Sequence, residues 1–171
     1  RLGADVVEVR RATDLDGLDG LVIPGGESTT IGRLARLYGL LDPLRKHIAS
    51  GLPTFGTCAG MILLATDVEE GTQDQLGVLD ATVRRNAWGT QNESFEADLA
   101  VAGLGDPVRA VFIRAPWITR VGDEVEVLAT WADRPVMVRQ GSVLAASFHP
   151  ELTDDDRIHR MLLDLIEGGQ G

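Results

Sequence analysis

The sequence is short of cysteine, aromatic residues and basic charge. One cysteine among 171 residues excludes an internal disulfide and suits a reducing cytosol. Acidic residues outnumber Lys and Arg by 26 to 16, and the net charge of −10 argues against a nucleic-acid partner. No apolar run approaches the roughly 18–20 residues that span a bilayer, and the first residues lack the apolar core of a secretory signal. The composition therefore predicts one cytoplasmic globular domain, residues 1–171, with no membrane segment.

Strand and helix patterns alternate along the first part of the chain. Strands are predicted at Val6–Val9, Gly20–Pro24 and Leu52–Phe55, and helices after a Ser28 or Thr29 cap, around Leu41–Ile48 and from Met61 to Ala65. This βαβ alternation predicts a parallel sheet covered by helices on both faces, which is a three-layer, flavodoxin-like α/β fold.

The second half is richer in strands. They are predicted at Ala81–Asn86, Glu93–Leu99, Ala110–Arg114, Val125–Trp131, Pro135–Arg139 and Val143–Phe148. We expect them to add antiparallel strands, giving a mixed but mostly parallel sheet. A last helix is predicted after Thr153, with Asp154–Asp156 in its first turn, where acidic side chains complement the helix dipole. That placement explains the three acids without a metal site.

The single cysteine lies in an unusual local pattern. Gly56-Thr57-Cys58-Ala59-Gly60 follows a predicted strand and precedes a predicted helix. A nucleophile flanked by glycines between strand and helix is the pattern of a nucleophile elbow, in which a sharp turn lifts the side chain out of the sheet edge. A buried structural cysteine is the alternative, but the small neighbours favour a nucleophile.

A cysteine nucleophile needs a base, and the sequence has three histidines. His47 and His159 lie on predicted helices beside basic residues, which indicates surface positions. His149 ends a predicted strand, where α/β sheets place functional loops. Pro150 favours extended backbone at His149, so Glu151, two residues on, is expected beside its ring. Cys58, His149 and Glu151 together suit a nucleophile, a base and an orienting carboxylate.

A glycine turn and two arginines complete the candidate set. Pro24–Thr30, with sequence PGGESTT, joins a strand to a helix, so its N–H groups are suited to an oxyanion or a carboxylate; a plain glycine turn with a helix cap is the alternative. Arg85 and Arg114 lie near strand ends, where each suits either a substrate carboxylate or an ordinary surface ion pair.

These segments together resemble the glutaminase subunits of pyridoxal 5′-phosphate synthases, which are class I, triad-type glutamine amidotransferases. The matching motifs cover most of the chain in the family's order: PGGEST at 24–29, FGTCAG at 55–60, RNAWG at 85–89, SFEADL at 94–99, FIRAP at 112–116 and SFHPEL at 147–152. GTCAG and HPE mark the wider amidotransferase class, whereas PGGEST, RNAWG and FIRAP point to this branch.

The resemblance implies roles for individual residues. Cys58 matches the nucleophile, His149 the general acid–base and Glu151 its orienting partner. The positions that hold glutamine in the family match Gly26, Glu27, Ser28, Arg85, Ile113 and Arg114. Backbone N–H groups of Gly26 and Ala59 are expected to form the oxyanion hole. No metal or cofactor is implied.

The resemblance also implies a protein partner, and this sequence departs from the family pattern at two places. The family passes ammonia from glutamine to a (β/α)8-barrel synthase subunit that makes pyridoxal 5′-phosphate. Family members normally begin with a strand and a Gly-Leu-Gln-Gly-like loop, which would precede Arg1 of this sequence. Thr90 stands where the family usually has arginine.

Three other interpretations remain open at the level of sequence. The chain could supply ammonia to a different synthase, serve as a non-catalytic regulatory subunit of the same fold, or be a cysteine-dependent hydrolase of similar architecture. Glutamine turnover separates an enzyme from a binding subunit.

Overall fold

The computed structural model describes residues 1–85 and 94–169. The helices in these ranges are α1 (Ser28–Leu37), α2 (Leu41–Ala49), α3 (Ala59–Leu64) and α4 (Arg157–Gly168), with 3₁₀ turns at Ala12–Leu15 and Pro150–Leu152. The strands are β1 (Leu21–Ile23), β2 (Thr54–Thr57), β3 (Ala65–Val68), β4 (Leu79–Arg84), β5 (Ser94–Leu99), β6 (Val108–Ile113), β7 (Trp117–Val121), β8 (Glu126–Trp131), β9 (Arg134–Gln140) and β10 (Val143–Ala146).

The central sheet has the strand order β1-β2-β10-β9-β8. Strand β2 pairs in parallel with β1 on one side and with β10 on the other, through Ile23↔Gly56 and Ala146↔Thr57 near their ends. Strands β10, β9 and β8 continue as antiparallel neighbours. Because β1, β2 and β10 run in the same direction, the loops that follow them leave from one edge of the sheet.

Side chains of the central strands alternate between two hydrophobic cores. Val143 and Ala145 of β10 pack in the core shared with α1, α2 and α3, whereas Leu144 and Ala146 pack in the core shared with α4. This period-two alternation follows from strand geometry. Helices thus cover both faces of the sheet, which confirms the three-layer α/β fold. The central sheet is mixed as predicted but not mostly parallel, because two of its four strand pairings are antiparallel.

Two smaller sheets flank the central one. Strands β3, β4 and β7 form a three-stranded sheet, and β5 and β6 form an antiparallel pair. The β5–β6 pair places Phe112 against Phe148, with ring centroids 5.7 Å apart and both side chains fully buried. The strand-rich second half is therefore confirmed, although much of it lies outside the central sheet.

Several predicted elements differ in the structure. Val6–Val9 forms no strand, because no strand of the described residues pairs with it, and Val6 is 89% exposed. The helix predicted from Met61 begins at Ala59 and ends at Leu64, and Ala65 opens β3. A short, wholly apolar run does not distinguish helix from strand by its periodicity, which explains the error. Strand β7 was missed because Pro116 and Gly122 flank it closely.

The last helix begins later than predicted. Helix α4 starts at Arg157, so Asp154–Asp156 precede it rather than form its first turn. The Arg157 guanidinium donates a hydrogen bond to the Asp155 carboxylate at 2.6 Å, and the Arg157 N–H donates another at 3.1 Å. The guanidinium first, and then the N–H, lowers the pKa of Asp155. The acids therefore belong to the turn that starts the helix.

We predict that Gly60→Ala destabilises the fold, because the new Cβ would lie 2.0 Å from the Ile23 carbonyl oxygen. The obstacle is backbone, so α3 and β1 must separate, at a cost of about 1–3 kcal/mol. Thermal or denaturant unfolding measures the loss. Gly105→Ala is the matched control, since nothing lies within 4 Å of its added Cβ. Equal stability of the two variants would contradict the close approach.

Candidate active site

Three neighbouring strands deliver the candidate residues to one edge of the sheet. The glycine turn follows β1, Cys58 follows β2, and His149 lies three residues beyond β10. The Cys58 N–H donates a hydrogen bond to the Ala146 carbonyl at 2.8 Å, which ties the cysteine turn to the strand that leads to His149. Carboxyl ends of parallel strands are where open α/β sheets bind ligands.

Cys58 occupies a strained turn. Its φ of 50° and ψ of −106° lie in a region that residues other than glycine rarely adopt, at a cost of about 1–3 kcal/mol. Both flanking glycines are required by close packing: a Cβ at Gly56 would lie 2.7 Å from the Gly60 carbonyl carbon, and one at Gly60 would meet Ile23. The Cys58 side chain is 7% exposed. These features have the form of a nucleophile elbow.

His149 and Glu151 form a hydrogen-bonded pair. His149 Nδ1 donates to Glu151 Oε1 at 2.7 Å, leaving Nε2 as the ring nitrogen available to Cys58. The His149 N–H donates to the Val111 carbonyl, and the preceding Phe148 is fully buried, so the backbone at His149 is anchored on both sides. Glu151 lies in the 3₁₀ turn Pro150–Leu152. The expected contact is present, but this turn produces it rather than an extended strand.

The His149 imidazole is held in its charged form. Its pKa is raised to about 9, chiefly by the hydrogen bond with Cys58 and further by the hydrogen bond with Glu151, against partial burial that favours the neutral ring. His149 is therefore cationic at neutral pH. A cationic imidazole beside the cysteine can give a proton to a leaving group at the same site.

The glycine turn packs directly against this pair. A Cβ at Gly25 would lie 2.6 Å from His149 Cε1 and 3.6 Å from Cys58 Cβ, so a larger residue would displace the histidine. Gly26 has a φ of 151°, which L side chains rarely adopt. A larger residue is therefore disfavoured at both positions, by contact with His149 at Gly25 and by the backbone conformation at Gly26.

Glu27, rather than Ser28 or Thr29, caps α1. Its carboxylate accepts hydrogen bonds from the N–H groups of Thr29 and Thr30 at 3.0 and 2.8 Å and from the Thr30 hydroxyl at 2.6 Å. The Thr30 hydroxyl is the largest cause, followed by the backbone N–H groups, of a Glu27 pKa lowered to about 2. The Glu27 carboxylate is thus committed to the helix.

Arg85 lies where β4 ends and reaches across to α1. Its Nη1 donates to Thr29 Oγ1 at 3.0 Å and to Gln73 Oε1 at 3.3 Å. Its N–H donates to the Glu70 carboxylate, whose Oε2 also lies 3.8 Å from Arg85 Nε. Arg85 therefore has an acidic neighbour, as a surface ion pair requires, and also lies beside the start of α1.

One cavity of about 440 Å³ joins these residues. It is lined by Gly26, Glu27, Ser28, Cys58, Ala59, Ile62, Arg85, Ile113, Arg114 and His149. The structure thus brings together every candidate residue except Glu151, which lies behind the His149 ring. Ile113 and Arg114 lie at the end of β6, and Arg114 has a φ of 42°. Two larger depressions, of about 680 and 640 Å³, have no cysteine or histidine among the described residues that line them.

Sequence reasoning missed Ile62, Gln73 and Glu70 as neighbours of the site. Gln73 and Glu70 belong to the connection between β3 and β4, which carries no recognisable motif. The rest of the RNAWG motif, Asn86–Gly89, and the Thr90 departure lie outside the described residues.

The described residues contain no group of three or more His, Cys, Asp or Glu side chains that could hold a metal ion. Within the same ranges, the helices are all too short or too polar to cross a membrane.

Known proteins are similar to this chain along most of its length. The model of the SNO glutamine amidotransferase family matches residues 1–167. A protein of Parafrankia sp. (strain EAN1pec) named pyridoxal 5′-phosphate synthase subunit PdxT is 62% identical over 172 residues, covering 99% of this chain and 85% of that protein. A protein of the same name from Nocardioides sp. (strain ATCC BAA-499 / JS614) is 57% identical, with coverage of 96% and 86%.

Solved structures show the same fold. A crystal structure described as a glutamine amidotransferase superposes with a TM-score of 0.93 at 56% identity, covering 97% of this chain and 88% of that one. A putative GMP synthase protein from Thermoplasma acidophilum has a TM-score of 0.65 at 21% identity, covering 93% and 78%, and shows the fold alone.

We predict that the His149 ring titrates near pH 9 and that Cys58→Ala lowers this pKa more than Glu151→Gln does, because Cys58 is its largest cause. Histidine NMR measures both shifts. Since the folded pKa lies above the unfolded value of about 6.5, ionised His149 stabilises the fold fully below pH 6.5. That contribution is lost as the pH rises through 9.

Unfolding of the wild type and His149→Asn, followed from pH 5.5 to 10, should therefore show their stability difference shrinking. A difference that grows with pH would show that the ring is buried neutral instead.

Proposed function

The chain belongs to the SNO glutamine amidotransferase family, and we propose that it is the glutaminase subunit of a pyridoxal 5′-phosphate synthase, hydrolysing L-glutamine to L-glutamate and ammonia. High identity to proteins named as this subunit supports the assignment. The observation that carries the chemistry is that Cys58 and His149 line one cavity, with Glu151 hydrogen-bonded to His149 from outside it.

In the first half of the proposed reaction, Cys58 Sγ attacks the side-chain carboxamide carbon of glutamine. The carbonyl π electrons move to oxygen, and the tetrahedral intermediate then collapses. Cationic His149 gives its proton to the departing nitrogen, the C–N bond breaks, and ammonia leaves behind a thioester on Cys58. The raised His149 pKa supports this role, because the proton is present at neutral pH.

In the second half, neutral His149 takes a proton from water as the water oxygen attacks the thioester carbon. The C–S bond breaks, glutamate leaves, and the thiolate and the imidazolium are restored. Glu151, held at 2.7 Å from Nδ1, keeps Nε2 directed toward the reacting atoms and stabilises the cation.

The oxyanion of both intermediates is assigned to the N–H groups of Ala59 and Gly26. Ala59 is the first residue of α3, whose N–H has no partner within the helix. Gly26 lines the same cavity with a φ that permits an inward N–H. Removing one such donor typically costs about 3–4 kcal/mol of transition-state stabilisation.

Substrate binding is assigned to the remaining walls of the cavity. Gly26, Glu27 and Ser28 supply one wall, Arg85 lies beside them, and Ile113 with Arg114 supplies another. Because the Glu27 carboxylate caps α1, its contribution here is assigned to the backbone. Arg85 and Arg114 are the cations suited to the α-carboxylate of glutamine.

The ammonia is consumed by a synthase partner, which we propose to be a (β/α)8-barrel subunit. The reaction in this chain uses no cofactor. Residues 1–171 act as one amidotransferase domain in this proposal.

We predict that Cys58→Ala abolishes glutamine hydrolysis, and that His149→Asn lowers it by at least about a thousandfold, since members of a triad act as a unit. Glu151→Gln should lower the rate less, because it removes the orienting group rather than the base. Steady-state ammonia release measures all three variants.

His47→Asn is the matched control, because His47 lies on α2, away from the cavity, and contacts Pro43 and Asp16. Cys58→Ala should change stability by no more than about 1–2 kcal/mol. A folded Cys58→Ala variant that still hydrolyses glutamine would remove the proposed mechanism.

We also predict activation by the synthase partner. Ammonia released into water is protonated and lost, so hydrolysis is useful only when the acceptor is docked. The Gly25-Gly26 peptide is suited to a flip that creates or removes an oxyanion donor, because glycines adopt backbone conformations closed to other residues. Glutaminase assays should show a clear rise in rate when the partner is added. Equal rates with a confirmed bound partner would favour a constitutive hydrolase.

A further inference from the structure

The connection between β3 and β4 carries a glutamine that reaches two other parts of the site. Gln73 Oε1 accepts hydrogen bonds from Ser28 Oγ at 3.3 Å, Thr29 Oγ1 at 3.4 Å and Arg85 Nη1 at 3.3 Å. Arg85 Nη1 also donates to Thr29 Oγ1 at 3.0 Å. One amide oxygen therefore joins the start of α1 to the end of β4.

The chemistry of the partners sets the orientation of this amide. A guanidinium group only donates hydrogen bonds, so the oxygen of Gln73, and not its nitrogen, must face Arg85. Gln73 Nε2 is then buried without a hydrogen-bond partner in the described part of the chain. An unsatisfied buried donor opposes stability, so the side chain is poorly explained as a support of the fold alone.

Gln73 contacts the cavity only through its neighbours. Ser28 and Arg85 line the cavity on adjacent walls, whereas Gln73 does not line it. Without the Gln73 oxygen, Arg85 would lose one of its two Nη1 acceptors. Glu70 is then the competing partner, because its backbone carbonyl accepts a hydrogen bond from Arg85 Nη2 at 3.3 Å and its carboxylate lies 3.8 Å from Arg85 Nε. These two groups would draw the guanidinium away from α1.

We propose that Gln73 is a positioning residue for glutamine binding, holding Arg85 and Ser28 at the spacing that the substrate requires. The inference rests on the proposed function, since it takes glutamine as the substrate. Gln73 touches none of the reacting atoms, so it sets the affinity for glutamine and leaves the chemical steps to Cys58 and His149.

The test is steady-state glutamine hydrolysis in the presence of the synthase partner. Gln73→Leu removes the acceptor and should raise KM roughly three- to tenfold, the effect of one ordinary hydrogen bond, because the loss reaches the substrate only through Arg85 and Ser28. The kcat value should change less than about twofold. Gln73→Asn, one methylene shorter, should raise KM as well. Gln73→Glu retains an acceptor oxygen for Arg85 and should recover most of the loss.

Gln75→Leu is the matched control from the same connection. Gln75 Nε2 donates to the carbonyls of Ile62 and Ala65 at 3.1 and 3.0 Å and contacts neither Arg85 nor α1. It should lower the unfolding temperature without raising KM. An unchanged KM in Gln73→Leu and Gln73→Asn, or an equal rise in Gln75→Leu, would overturn the inference. A wild-type complex that does not hydrolyse glutamine would overturn the proposed function instead.

Discussion

The pairing of β2 between β1 and β10 is the constraint on which the candidate site depends. It brings three strand ends to one edge of the sheet, and the hydrogen bond from the Cys58 N–H to the Ala146 carbonyl fixes the nucleophile against the strand that leads to His149. The helix that follows Cys58 can pack against β1 because Gly60 has no side chain, which lets α3 approach the backbone of Ile23. The same contacts hold Cys58 in its strained backbone conformation. The contacts that stabilise the fold at this edge therefore also position the candidate nucleophile.

The two carboxylates near the site have different hydrogen-bond partners. Glu151 is paired with His149 and helps keep the ring cationic at neutral pH. Glu27, close by in sequence to the glycine turn, is occupied by the N–H groups and a hydroxyl of α1, with a pKa of about 2. An acidic chain can therefore have a cationic cavity wall, because its nearest carboxylates are already bound to other groups.

The proposed glutamine pocket is assembled from distant segments rather than from one motif. Arg85, Thr29 and Gln73 meet through hydrogen bonds of 3.0 to 3.4 Å although they belong to three separate segments. This arrangement assigns binding and chemistry to different parts of the molecule: strand ends hold the reacting groups, and side-chain contacts across the β3–β4 connection hold the wall. The separation is the reason that affinity and turnover should respond to different substitutions.

Local sequence patterns were enough to predict the strand-end features of the site. Glycines around Cys58, the His149-Pro150-Glu151 run and the PGGEST turn depend on neighbours within a few residues, so their strand-end positions could be predicted. The family followed from these motifs in their order. Three features became visible only in the folded chain: Glu27 caps α1, Val6–Val9 has no partner strand among the described residues, and Gln73 joins Ser28 to Arg85. These contacts depend on how separate segments pack against one another, and local spacing along the chain carries no record of that packing.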